Sequence, residues 1–133
     1  YEIIKCDWSS DVCSSDLFSP PAPTEMKSPN GPASIKRLPG SSNLLAIYND
    51  HSGMFPFPPK KRNPFVAAIS TDGGKTWPQR KLIESDPDGL YHYTAIHFIG
   101  DAMLIGYCAG DSKVGALNRL RIRRITLGWL KQP

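Results

Sequence analysis

Ser70-Thr71-Asp72-Gly73-Gly74-Lys75-Thr76-Trp77 is the stretch whose reading decides the fold. It follows a strand-like run, Phe65-Val66-Ala67-Ala68-Ile69, and precedes another, Arg80-Lys81-Leu82-Ile83. Two β-prone runs joined by a loop containing Asp and Gly read as a hairpin. Gly73 and Gly74 can take the positive φ angles that a sharp reversal needs, and Asp72 can accept hydrogen bonds from the loop's own backbone. Trp77 then brings a large apolar ring back to cover the turn.

Outward from this loop the chain reads as strands and turns. Upstream, Ala33–Leu38 is a short strand, closed by Pro39-Gly40-Ser41-Ser42. Leu44-Leu45-Ala46-Ile47-Tyr48 is an apolar run suited to a strand buried on both faces. A long loop, Asn49–Asn63, carries Phe55-Pro56-Phe57-Pro58-Pro59 and the basic Lys60-Lys61-Arg62, and loops of that length in compact domains are often functional. Downstream, Tyr91–Phe98 and Met103–Cys108 are strand-like around a turn at Gly100-Asp101, and Arg119–Arg123 alternates with strand period.

A shift of 59 residues superposes the two halves. Phe18 falls on Trp77, Tyr48 on Tyr107 and Arg62 on Arg121, and the runs Leu44–Tyr48 and Met103–Tyr107 coincide without a gap. A period of this size, with four strands per unit, marks propeller blades. Two blades do not close a propeller, so the chain reads as all-β, a partial propeller of about two blades from the C-terminal part of a larger protein. Phe18-Ser19-Pro20 stands where Trp77-Pro78 stands, as though another loop of the same kind preceded it.

The chain has 133 residues, a formal charge of +4 and three cysteines. Residues 7–17, Asp7-Trp8-Ser9-Ser10-Asp11-Val12-Cys13-Ser14-Ser15-Asp16-Leu17, read as a codon-by-codon translation of a common DNA sequencing adapter. Residues 1–17 are therefore set apart as an artefactual segment, and 18–133 are taken as the propeller blades. Without Asp7, Asp11 and Asp16 the balance rises to +7, which suits an anionic partner. Cys108 is then left alone in an apolar run, so no disulfide framework reveals a compartment, and localisation stays open. No apolar run approaches the roughly 20 residues of a membrane-spanning helix.

The pattern Ser/Thr-x-Asp-x-Gly-x-Thr-Trp resembles the Asp box of the sialidase (neuraminidase)-like, BNR-repeat six-bladed β-propellers, where it joins the third and fourth strands of a blade away from the active site. Its members here are Ser70, Asp72, Gly74, Thr76 and Trp77. The resemblance extends to Pro32-Ala33-Ser34-Ile35-Lys36-Arg37, to Arg62 eight residues before Ser70, to Tyr93-Thr94-Ala95-Ile96, and to the ending Ile125-Thr126-Leu127-Gly128-Trp129-Leu130. It implies a fragment of a glycoside hydrolase of exo-α-sialidase type that cleaves terminal acidic sugars. Tyr93 would be the nucleophile, and Arg62 would grip the substrate carboxylate. A neutral phenol suits a sugar whose anomeric carbon bears a carboxylate, because an anionic nucleophile would be repelled. The guanidinium fork matches the carboxylate with two parallel charge-assisted bonds.

The same resemblance implies that the other two arginines, the general-acid Asp and the Glu partner of the nucleophile lie upstream, which leaves this fragment inactive alone. It also places Tyr107-Cys108 where relatives often carry a Glu after the Tyr. The alternative function is a non-catalytic carbohydrate-binding or scaffold propeller that keeps its Asp boxes for folding. Asp50 and His51 sit at a loop mouth and are candidates to touch substrate, although a turn built on Asx hydrogen bonds explains the same residues. Tyr93 also reads as an ordinary strand aromatic, and Arg62 as one of three solvated cations. Arg119, Arg121, Arg123 and Arg124 lack interleaved aromatics, so they read as an exposed strand face rather than a nucleic-acid groove. His92 and His97 lack metal-ligand spacing, and neither a metal nor a cofactor is expected. The expected partners are an acidic sugar or glycoconjugate and the N-terminal blades of the same protein.

Overall fold

The computed structural model describes residues 22–56 and 62–132. The segment 1–17, the upstream position of Phe18, and Lys60 and Lys61 lie outside the described residues. Among the described residues seven strands and one short helix follow in order: β1 (Ser34–Arg37), β2 (Leu44–Asn49), β3 (Phe65–Ser70), β4 (Gln79–Glu84), β5 (Leu90–Ile99), β6 (Ala102–Gly110), β7 (Leu120–Thr126) and α1 (Leu127–Lys131). They form two antiparallel meanders, β1-β2-β3-β4 and β5-β6-β7. The chain is an all-β propeller fragment, and the Asp-box loop joins the third and fourth strands of the first sheet.

Period-two alternation decides where the cores sit. On β2, Leu45 and Ile47 face the second sheet, while Ala46 and Tyr48 face the other way. The central core lies between the sheets: Leu45, Ile47, Phe65, Ala67 and Ile69 meet Ile96, Met103, Ile105, Tyr107 and Ile125. Phe65 and Tyr107 stack with ring centroids 4.7 Å apart. A smaller core on the outer face of the first sheet joins Ala46, Tyr48, Val66, Ala68 and Trp77, with Met26 packed against it.

The two blades are not copies throughout. Ala46 pairs with Ala68, but its counterpart Ile105 pairs with Arg123 rather than Leu127, so the 59-residue shift slips by four after the second strand. The second sheet has three described strands, and where a fourth would begin the chain turns into α1, whose N-cap Thr126 accepts from the Trp129 N–H at 3.2 Å. Gln79 and Lys81 of β4 hold this helix by donating to the carbonyls of Leu130 and Trp129, each at 2.6 Å.

The arginine run is exposed, as its sequence implies, and alternation along β7 divides it between two faces. Arg121 and Arg123 lie on the side of Ile125, toward the first sheet, and both reach Glu84. Leu120 and Ile122 take the outer side instead and are 71% and 67% exposed. Arg119 and Arg124 pair with Asp111 and Asp101, so all four cations are matched by carboxylates within the chain.

Candidate functional site

The Asp box is closed by the hydroxyls and carboxylate that its sequence places two and four residues apart. The Ser70 hydroxyl donates to Asp72 at 2.7 Å and accepts from the Gly74 N–H at 2.8 Å. Thr76 donates both its N–H, at 3.0 Å, and its hydroxyl, at 2.6 Å, to the Asp72 carboxylate. These bonds, the Thr76 hydroxyl first, hold Asp72 well below the usual carboxylate range. Gly73 and Gly74 adopt φ of 77° and 93°. Trp77 is buried, and its indole N–H donates to the Gly74 carbonyl at 3.1 Å. Its backbone N–H donates to Glu25, a partner 52 residues away that no local pattern announces.

The opposite end of β3 is preceded by Arg62, about 17–20 Å from the Asp box for a strand of six residues. There the structure brings two sequence-predicted site residues together. The Arg62 guanidinium carbon lies 5.9 Å from the centre of the Tyr93 ring, although the two residues serve different sheets. Tyr93 is 57% exposed, so its ring opens to solvent at that end. Arg62 Nη2 donates to the Asn30 carbonyl at 3.3 Å, while Nη1 is buried with no hydrogen-bond partner among the described residues.

Backbone geometry explains how Tyr93 reaches this position. Its φ is +56°, the left-handed region that a Tyr seldom occupies. The register of β5 on β6 slips between His92 and Ala95, so Tyr93 sits in a bulge that breaks the alternation of side chains. Consecutive residues of a regular strand point to opposite faces, yet the His92 and Tyr93 rings meet edge to face with centroids 4.5 Å apart. Ser34 of β1 fastens the bulge by donating its hydroxyl to the Thr94 carbonyl at 2.5 Å.

Asp50 and His51 fare differently. The Asp50 side chain is fully buried and pairs with Arg80 at 3.2 Å, while its other oxygen accepts from the Ser52 N–H at 2.8 Å. The bond from Ser52 is the Asx turn that the sequence offers as the alternative to substrate contact, and the Arg80 pair occupies the other oxygen. The Asp50 charge, after burial itself, pushes the neighbouring Tyr48 phenol up to about 12. The His51 ring nitrogen Nε2 lies 3.1 Å from the Asn63 carbonyl, and its backbone N–H donates to Lys27 at 2.8 Å. The first contact joins the two ends of the long loop, and the second fastens its start to the segment before β1.

One cluster escaped the sequence reading. Glu84, at the end of β4, accepts from the Tyr107 hydroxyl and pairs with Arg121 at 2.7 Å and Arg123 at 3.3 Å. Burial raises the Glu84 pKa, but the hydrogen bonds from Arg121 and Tyr107 and the two positive charges outweigh it and leave it lowered. Burial and the Glu84 contact raise the Tyr107 phenol, which therefore stays protonated. This set bridges the two sheets. The only available signal was the i, i+2 spacing of Arg121 and Arg123, and it does not name their partner.

Among the described residues no group of three or more His, Cys, Asp or Glu could hold a metal ion, and no helix is long and apolar enough to cross a membrane. No curated protein and no solved structure matches the chain. A family defined as a BNR repeat-like domain matches residues 4–105, beginning inside the segment 1–17 and taking in the whole first sheet, β5 and part of β6. With strands, Asp box and most of the sequence in that span, the chain belongs to the BNR repeat-like domain family.

Proposed function

We propose that the intact parent is a glycoside hydrolase of exo-α-sialidase type, acting on terminal acidic sugars. The observation that carries this reading is the Arg62 guanidinium over the open Tyr93 ring, with a buried Nη1 still available to an acceptor. Arg62 would hold the sugar carboxylate through its fork, bringing the anomeric carbon to the Tyr93 hydroxyl. The phenolic oxygen would form a bond to that carbon as the glycosidic carbon–oxygen bond breaks. The phenolic proton would pass to a glutamate, and an acid would protonate the departing oxygen, both from blades outside this sequence. Water would then attack the same carbon and restore the phenol, so configuration is retained.

A fluorogenic sialoside assay on the intact parent tests the proposal. Tyr93→Phe should abolish turnover and leave sialoside binding intact, because the phenol acts only in the chemical step. Activity surviving that change would exclude the tyrosine mechanism. Arg62→Lys keeps the charge and loses the fork, so acidic-sugar affinity should fall about tenfold or more.

A second reading, a non-catalytic carbohydrate-binding propeller, draws support from one observation. Among the described residues no carboxylate hydrogen-bonds Tyr93, and Glu84 is committed to Tyr107, Arg121 and Arg123. On that reading Tyr93→Phe leaves sugar binding intact and there is no turnover to lose.

A further inference from the structure

Four buried side-chain atoms have no hydrogen-bond partner among the described residues: Tyr48 Oη, Arg62 Nη1, Asn63 Oδ1 and His92 Nδ1. Arg62 covers the Tyr93 ring and His92 meets the same ring edge to face, so two of the four gather at Tyr93. Folded proteins leave few buried polar groups unpaired, and a cluster of them points to a partner of complementary chemistry.

His92 defines what that partner must offer. It is 4% exposed and meets the Tyr93 ring edge to face. Burial, and then the charge of Arg62, lower its pKa against an opposing hydrogen bond to the Ala116 backbone, so the ring is neutral near pH 7. A neutral imidazole has one N–H. The Ala116 carbonyl takes it, which leaves Nδ1 as a bare lone-pair acceptor beside a guanidinium with a spare donor. A carboxylate alone would satisfy Arg62 and leave Nδ1 unpaired.

We infer that His92 is a positioning residue that accepts a hydrogen bond from a hydroxyl or amide N–H of the acidic sugar whose carboxylate Arg62 holds. The site then selects acids that also carry a donor, and it orients the ring over Tyr93 by two points instead of one. This inference rests on the reading of Arg62 as the carboxylate-binding group.

Two probes and two variants test it, with binding to the intact parent followed by isothermal titration calorimetry. N-acetylneuraminic acid carries both a carboxylate and donors, whereas tetrahydropyran-2-carboxylate is a ring acid without a donor besides its carboxyl group. His92→Phe keeps a ring against Tyr93 and removes the acceptor. It should weaken N-acetylneuraminic acid about tenfold and leave the ring acid unchanged. His92→Asn places an amide oxygen near the position of Nδ1 and should stay within about threefold of the parent for both probes. Equal weakening of both probes by His92→Phe, no weakening at all, or failure of His92→Asn to restore binding would overturn the inference. A failure of the underlying reading looks different, since both probes would then bind Arg62→Lys as well as the unaltered parent. An intact parent that binds neither probe would overturn both.

Discussion

Tyr93 occupies a conformation that costs a side-chain-bearing residue about 1–2 kcal/mol, and it does so with more than half its surface in solvent. Nothing in Tyr91-His92-Tyr93-Thr94-Ala95 warns of it, because every residue there suits a regular strand. The strain is visible only once β6 supplies a register to slip against. Tyr93→Gly and Tyr93→Ala lose the same ring contacts but differ at the backbone, so the glycine variant should be the more stable by about 1 kcal/mol in urea unfolding. Equal stabilities would mean the bulge relaxes when the ring is removed. Asp72 makes the opposite point, since its role follows from its own eight residues. Its carboxyl is held down by Thr76 and Ser70 in the folded chain and is near 4 when unfolded. A depressed folded pKa contributes stability above the unfolded value, and that contribution drains away as pH falls below about 4. Asp72→Asn should therefore be less stable than the parent at pH 7 and should lose less between pH 5 and pH 3. A parallel acid limb in the two proteins would remove Asp72 from the account.

Strands were the most legible elements because each carries its own period, and all seven fall within a few residues of the runs that predicted them. What a strand touches is less legible. Arg121 and Arg123 alternate with apolar residues, and alternation shows that they share a face without saying which face is buried. The structure settles this through Glu84, 37 and 39 residues earlier, which draws the arginines inward and turns Leu120 and Ile122 out. The Asx turn at Asp50 is legible locally, but its pair with Arg80, 30 residues away, is not. Glu84→Ala would leave the buried Tyr107 hydroxyl unpaired and two arginines without a counter-charge. Those arginine side chains are 40% and 43% exposed and keep part of their hydration, so the loss should be about 2–3 kcal/mol rather than that of a fully buried pair. Adding Tyr107→Phe removes the stranded hydroxyl, and the double variant should cost less than the two single losses together. Strict additivity in urea unfolding would show that the tyrosine and glutamate do not interact.

At the scale of the whole molecule, the two sheets solve their packing unequally. The first is covered on both faces, by the central core and by the layer of Met26 and Trp77. The second is covered on one face, and its other face presents Ala95, His97 and Ile99 of β5, Leu104 and Cys108 of β6, and Leu120 and Ile122 of β7. Ile99, Leu120 and Ile122 are 54%, 71% and 67% exposed. A blade face of this kind is built to lie against another blade, and the outer edge of β7 has no neighbour among the described strands. The isolated chain should therefore self-associate, burying this face against a second copy. Ile122→Lys puts a charge at the middle of the patch at little cost to the monomer, within about 0.5 kcal/mol, because the side chain it replaces is already in water. Sedimentation velocity should show the unaltered chain moving to larger species as concentration rises and the variant remaining a monomer over the same range. Equal association of both would place the sticky surface elsewhere, with Ile35, 52% exposed on the outer face of β1, the next position to charge.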